Sequence, residues 1–134
     1  MHLQTVLLIE DDPNMAYLLK FVLEREGFAV EHLPDGQQAR EFMQSRDKAD
    51  LVIMDLMLPY VDGFDLLRWM RDHESWCHAP RIVLSAREQE SDVVKAFESG
   101  ADDYVKKPFS PAELMSRVRR HIGRAGQTQQ APRA

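Results

Sequence analysis

Cysteine is nearly absent from this 134-residue chain: Cys77 stands alone, so no disulfide can close within it, and a reducing, cytoplasmic setting is expected. No apolar run approaches the length needed to span a bilayer, and the short apolar stretch after Met1 is too brief for a secretory signal. Positive net charge is also missing. The formal charge of -5 gives no general attraction to nucleic acid or to anionic lipid. The first acidic loop, Glu10-Asp11-Asp12-Pro13, has neither the glycines nor the hydroxyls of a nucleotide or flavin phosphate cradle. What is present is an ordinary globular composition, 44% hydrophobic and 29% charged, in a chain long enough for one domain with its own core.

Four short apolar runs stand out, and each ends in a residue suited to phosphoryl chemistry. Val6-Leu7-Leu8-Ile9 leads into Glu10-Asp11-Asp12, and Leu51-Val52-Ile53-Met54 into Asp55. Arg81-Ile82-Val83-Leu84 leads into Ser85, and Asp103-Tyr104-Val105 into Lys106-Lys107. Runs that are apolar at nearly every position suit strands of a parallel sheet covered on both faces. A further strand is expected over 28–33, stopped by Pro34-Asp35-Gly36.

Helical periodicity fills the gaps. Met15, Leu18, Leu19 and Val22 predict a first helix, capped by Asp12, opened by Pro13 and ended by Gly27. Ala39, Phe42 and Met43 mark a second, and Leu66, Leu67 and Met70 a third with Trp69 at its margin. Val93, Val94 and Phe97 predict the buried face of a fourth helix over about 90–99, closed by Gly100. Leu114, Met115, Val118 and Ile122 line a fifth that Pro111 opens. Parallel strands need right-handed crossovers, so this alternation predicts a doubly wound, three-layer α/β sandwich. After Ile122 the apolar stripe stops. Residues 1–124 are expected to form the domain, and 125–134 a flexible linker or tail, as though an output domain followed.

The carboxyl ends of parallel strands share one edge, and ligands bind there. Glu10, Asp11, Asp12 and Asp55 thereby meet at one place, and like charges so close disfavour one another unless a cation joins them. Oxygen-only donors in small number suit Mg2+; no EF-hand spacing favours calcium, and no His or Cys near these strand ends favours zinc. Lys107 can neutralise a carboxylate or phosphoryl oxygen, and the Ser85 hydroxyl can donate to one. An Asp carboxylate can itself be the nucleophile, which predicts an aspartyl phosphate. Taken singly, Asp12 is a helix cap and Ser85 and Lys107 are loop residues; their convergence is what points to function.

Leu8-Ile9-Glu10-Asp11-Asp12, Met54-Asp55-Leu56-Met57-Leu58-Pro59 with Asp62-Gly63, Leu84-Ser85-Ala86, and Gly100-Ala101-Asp102-Asp103-Tyr104 through Lys107-Pro108-Phe109 also carry a resemblance. Over about residues 4–124 the chain resembles the receiver domains of bacterial two-component response regulators. That resemblance implies a flavodoxin-like (βα)5 sandwich with strand order 2-1-3-4-5. It implies that Asp55 accepts a phosphoryl group from a sensor histidine kinase, with Mg2+ held by Glu10, Asp11, Asp55 and the backbone carbonyl of Met57. It further implies that the Lys107-Pro108 bond is cis, and that Ser85 and Tyr104 are the switch pair. Met57 and Arg87 occupy positions that tune phosphoryl lifetime; neither positions water well, so no unusually fast self-dephosphorylation is expected.

The segment from Gly100 and the stretch Phe109-Ser110-Pro111-Ala112-Glu113-Leu114 resemble the OmpR/PhoB-type subfamily, which implies dimerisation through the fourth helix, fifth strand and fifth helix. Lys95 is expected to meet Glu113, and Asp103 to meet Arg117, across a two-fold axis on phosphorylation. The basic residues of the last helix suit its dipole; without a helix-turn-helix pattern no direct contact with nucleic acid is expected, and none with a membrane. An enzyme acting on exogenous phosphate esters is disfavoured, because a phosphohydrolase of this type resembles its kin in a second Asp where Met57 stands. A degenerate receiver serving only as a docking module is the remaining alternative, and the complete acceptor set weighs against it.

Overall fold

The computed structural model describes residues 3–46, 48–87 and 89–130, with the side chains described as far as Ile122. In chain order the elements are β1 (Thr5–Ile9), α1 (Pro13–Arg25), β2 (Ala29–Leu33), α2 (Gly36–Ser45), β3 (Leu51–Asp55) and α3 (Gly63–Asp72). A 3-10 turn (Trp76–His78) precedes β4 (Arg81–Ser85), α4 (Glu90–Ser99), β5 (Asp103–Lys106) and α5 (Pro111–Gln130). The strands form one parallel sheet in the order β2-β1-β3-β4-β5. Because β1 is followed by a partner on one side and flanked by β3 on the other, the order reverses there, and a crevice opens above the ends of β1 and β3.

Alternate side chains of each strand feed two cores. Leu7, Ile9, Val52, Met54 and Val83 pack under α2, α3 and α4. Val6, Leu8, Leu51, Ile53, Ile82 and Leu84 pack under α1 and α5. The period-2 alternation of a strand is satisfied on both faces, which is why these runs carry no polar residue until they reach the sheet edge.

Side-chain caps start α1, α2 and α3. Asp12 Oδ1 accepts from the Asn14 N–H at 3.0 Å, Asp35 Oδ1 from Gln38 N–H at 2.8 Å, and Asp62 Oδ1 from Phe64 N–H at 2.8 Å. Gly100 ends α4 at φ +123, a conformation that would strain a side-chain-bearing residue. Gly63 is needed for another reason: a Cβ there would lie 2.5 Å from the Leu56 carbonyl oxygen and 2.7 Å from its Cα. This close approach draws the start of α3 against the loop that leaves Asp55.

Two apolar stripes are rotated from expectation. On α1 the buried residues are Ala16, Leu19, Val22 and Leu23, while Leu18 is 41% exposed. On α4 the helix seats on Ala96 and Ser99, whereas Val94 and Phe97 are 46% and 45% exposed and Val93 is half-buried. The small side chains let α4 approach the sheet closely, and Arg68 of α3 donates to Ser99 Oγ at 3.1 Å to fix that approach. The larger apolar residues are left outward. The backbone of α5 continues to Gln130, past the point at which the apolar stripe ends; residues 131–134, the end of the stretch read as a linker or tail, lie outside the described residues.

Candidate functional site

Glu10 follows β1, Asp55 ends β3, and Lys107 follows β5, so the sheet edge delivers all three to one point. The Lys107 ammonium lies 2.7 Å from Asp55 Oδ2 and 3.3 Å from Glu10 Oε1. Asp55 Oδ1 accepts from the Met57 N–H at 2.9 Å, and Glu10 Oε2 from the Asp12 N–H at 3.1 Å. Glu10 and Asp55 are buried, and Asp11 faces solvent at the mouth. One oxygen from each of Glu10, Asp11 and Asp55 lies within 4.8 Å of the others, the one such grouping of metal-ligating side chains among the described residues.

Electrostatically the cluster is short of positive charge. Burial pushes the Glu10 carboxyl above its ordinary value, more than the Asp12 N–H and Lys107 can offset. Burial acts against the Lys107 charge as well, but Asp55 and Glu10 outweigh it and hold the ammonium above the usual lysine range. Three carboxylates with one lysine, all oxygen donors and one of them open to water, fit a hard divalent cation that retains part of its hydration shell. A cleft of about 420 Å³ opens beside them, lined by Asp11, Met57, Pro59, Asp62, Phe64 and Arg87 among others.

Asp12, as expected, caps α1 and stands outside the grouping. Ser85 is fully buried at the end of β4, its Oγ accepting from the Arg87 N–H at 3.1 Å. The Tyr104 ring lies inward against the α2–α4 core, and its hydroxyl donates to the Arg87 carbonyl at 2.9 Å. Arg87 thus contacts both Ser85 and Tyr104 through its backbone, while its side chain crosses the cleft to Met57 Sδ at 3.1 Å and Asp92 at 3.3 Å. The Lys107-Pro108 peptide is cis, as the resemblance implies.

The four charges expected at a dimer interface all have partners within the chain. Arg117 pairs with Asp103 at 2.6 Å and with Glu113 at 3.6 Å, and the Lys95 ammonium sits 4.4 Å from the centre of the Phe64 ring. His121, read from the sequence only as one of the basic residues of the last helix, is buried on α5 with Nε2 3.0 Å from Asp103 Oδ2. Burial alone would raise the Asp103 pKa, but His121, the Tyr104 N–H and Arg117 together hold it below the ordinary value. A carboxyl depressed in the folded state stabilises fully above its unfolded pKa of about 3.9, and that contribution is lost as pH falls through the folded value. Urea unfolding at successively lower pH is therefore expected to show the parent chain losing stability more steeply below about pH 4 than Asp103→Asn. Equal slopes for the two chains would remove Asp103 from the acid response.

Fold and site together define the class: a doubly wound α/β domain with an acidic, lysine-bearing crevice at the point where its strand order reverses. Sequence comparison supplies the family. Residues 6–119 match the response regulator receiver domain, and the chain belongs to that family. It is 42% identical over 126 residues to the transcriptional regulatory protein GltR of Pseudomonas aeruginosa, covering 94% of this chain and 52% of that protein. It is 43% identical over 121 residues to the DNA-binding response regulator MtrA of Mycolicibacterium smegmatis, covering 90% of this chain and 51% of that one. The chain spans about half the length of these relatives. Among solved structures, the signal receiver domain of a histidine kinase from Syntrophus aciditrophicus superposes with a TM-score of 0.86 at 34% identity, covering 98% of each chain. The receiver domain of sensor histidine kinase PA1611 from Pseudomonas aeruginosa, solved with magnesium in its active-site cleft, gives 0.82 at 33% identity, covering 91% of this chain and 99% of that one. The fold class and strand order implied by the resemblance are those observed. No helix among the described residues is long and apolar enough to cross a membrane.

Proposed function

We propose that this receiver, in the cytoplasm, takes a phosphoryl group from a sensor histidine kinase onto Asp55 and relays the event through α4, β5 and α5. The observation that carries this reading is the bridge of Lys107 between Asp55 and Glu10, beside Asp11, which lines an open cleft. An Asp55 oxygen attacks phosphorus, the bond to the donor imidazole breaks, and its electron pair returns to the ring nitrogen. The Met57 N–H and Lys107 hold the two carboxylate oxygens in place for that attack. Glu10, Asp11, Asp55 and the Met57 carbonyl would hold Mg2+, which supplies positive charge to the phosphoryl oxygens as negative charge builds on them. The chain acts on no other substrate; its chemistry is its own phosphorylation and the hydrolysis that reverses it.

In this reading the Ser85 hydroxyl, at the end of β4, donates to a phosphoryl oxygen. The Tyr104–Arg87 hydrogen bond ties the same loop to the ring, so phosphorylation biases the loop and the α4–β5–α5 face together. Homodimerisation on that face would exchange the Asp103–Arg117 pairing within the chain for pairing across a two-fold axis, with Lys95 reaching Glu113. Exposed ion pairs contribute about 0–1 kcal/mol each, so outward Val94 and Phe97 would supply much of the association energy. Residues 1–124 form the receiver unit in this reading, and 125–134 lead toward an output domain like those of the longer relatives.

Intact mass after incubation with acetyl phosphate tests the chemistry. One phosphoryl group is expected with Mg2+ and none without it; no adduct in either sample would reduce the site to a docking role.

A further inference from the structure

Resting on the reading of Glu10 and Asp11 as magnesium ligands, we infer that His32 is a positioning residue for that site. It lies on β2, in register with Leu8, outside every segment that carries the family resemblance. Its Nε2 is 2.8 Å from the backbone carbonyl oxygen of Glu10. A carbonyl can only accept, so Nε2 carries the proton and the tautomer is fixed. Register pairing of β1 with β2 stops at Ile9 and Leu33, and the Glu10 N–H donates to the Leu33 carbonyl at 3.1 Å. Beyond that bond the Glu10 carbonyl has no backbone donor among the described residues; His32 is its partner.

The consequence follows from peptide geometry. The Glu10 carbonyl and the Asp11 N–H belong to one rigid plane. Holding its oxygen sets the rotation of the plane, and with it the direction in which the chain presents Glu10 on one side and Asp11 on the other. Glu10 is further pinned by the Asp12 N–H and Lys107, whereas Asp11 is exposed and has no such anchors. His32 thereby acts on Asp11 chiefly, through the peptide plane that Asp11 shares with Glu10.

Calorimetric titration of the unphosphorylated chain with Mg2+ tests this. His32→Leu is expected to weaken magnesium binding about ten-fold, the lower end of the range for partners outside the ligand shell. His32→Gln, whose amide N–H reaches as far as Nε2, is expected to restore most of the affinity, and the shorter His32→Asn is not. Phosphoryl uptake from acetyl phosphate should fall in His32→Leu at limiting Mg2+ and return to the parent rate at saturation. A merely structural residue would lower both and would show no difference between Gln and Asn. Parent-like affinity within about two-fold for His32→Leu and His32→Asn overturns the role of His32. Asp11→Asn is the control for the underlying reading: if it and the parent both fail to bind Mg2+, that reading falls, whatever His32 does.

Discussion

Asp55→Asn is expected to take up no phosphoryl group from acetyl phosphate, even with Mg2+ in excess, while remaining folded. The amide keeps the size of the side chain and can still accept from the Met57 N–H, so the loop after β3 has no reason to rearrange. What it lacks is a carboxylate oxygen able to attack phosphorus and remain bonded to it. The electrostatic balance also changes. Removing one charge from three neighbouring carboxylates relieves repulsion, which offsets the loss of the charged partner 2.7 Å from Lys107, and Lys107 retains Glu10 at 3.3 Å. The magnesium-free variant is therefore expected to melt no lower than the parent. Added Mg2+ should then raise the parent's melting temperature more than the variant's, because a ligand at about 100 times its dissociation constant stabilises by about 2.7 kcal/mol. Intact mass reads the first effect and thermal unfolding with and without Mg2+ the second. An adduct of full phosphoryl mass on the Asn chain would move the acceptor to another residue.

The strands and the acidic edge were legible because each rests on a pattern that survives folding. A residue such as Leu7 or Val52 is apolar because both sheet faces are covered, and Asp55 or Lys107 is polar because it stands where the sheet ends. Helix positions were legible and helix rotations less so. On α4 the Val93, Val94 and Phe97 triplet predicts burial, but the helix docks on Ala96 and Ser99 instead. Hydrophobicity alone cannot tell an inward face from an outward face that is also apolar. Tyr60 was illegible for another reason. It adopts φ +73 in the loop over the cleft, with the Val61 N–H donating to the Pro59 carbonyl at 2.9 Å, a tight turn that no glycine announces. The contacts of His32 and His121 were missed because each is one long-range hydrogen bond, to Glu10 and to Asp103, and neither leaves a periodic or motif-level trace. Such a signal exists only once β2 lies beside β1 and α5 beside β5.

Trp76 shows the same limit with the largest energetic consequence, and Trp76→Ala is expected to cost about 3–5 kcal/mol. The residue lies in a polar stretch and gives no periodic sign of burial, yet its side chain is fully enclosed in the core under α2 and α3. Its indole N–H reaches the Met43 carbonyl at 2.9 Å and the Arg46 carbonyl at 3.0 Å, two groups at the end of α2 that the helix itself cannot satisfy. Arg81, also buried, donates in turn to the Trp76 carbonyl at 3.2 Å. Truncation would leave a cavity and two orphaned acceptors, against a total stability of about 5–15 kcal/mol for a domain of ordinary size. Trp76→Phe should lose less, because most of the volume remains and only the hydrogen bonds go, a cost of about 1–3 kcal/mol. The site should be untouched by either change. Trp76 precedes β4, at the end of the sheet away from Asp55 and Lys107, and the two ends communicate only through the folded state. Urea midpoints should therefore rank parent above Phe above Ala, while phosphoryl uptake per folded molecule stays constant. A fall in uptake that outran the loss of folded protein would mean that the two ends of the sheet are coupled.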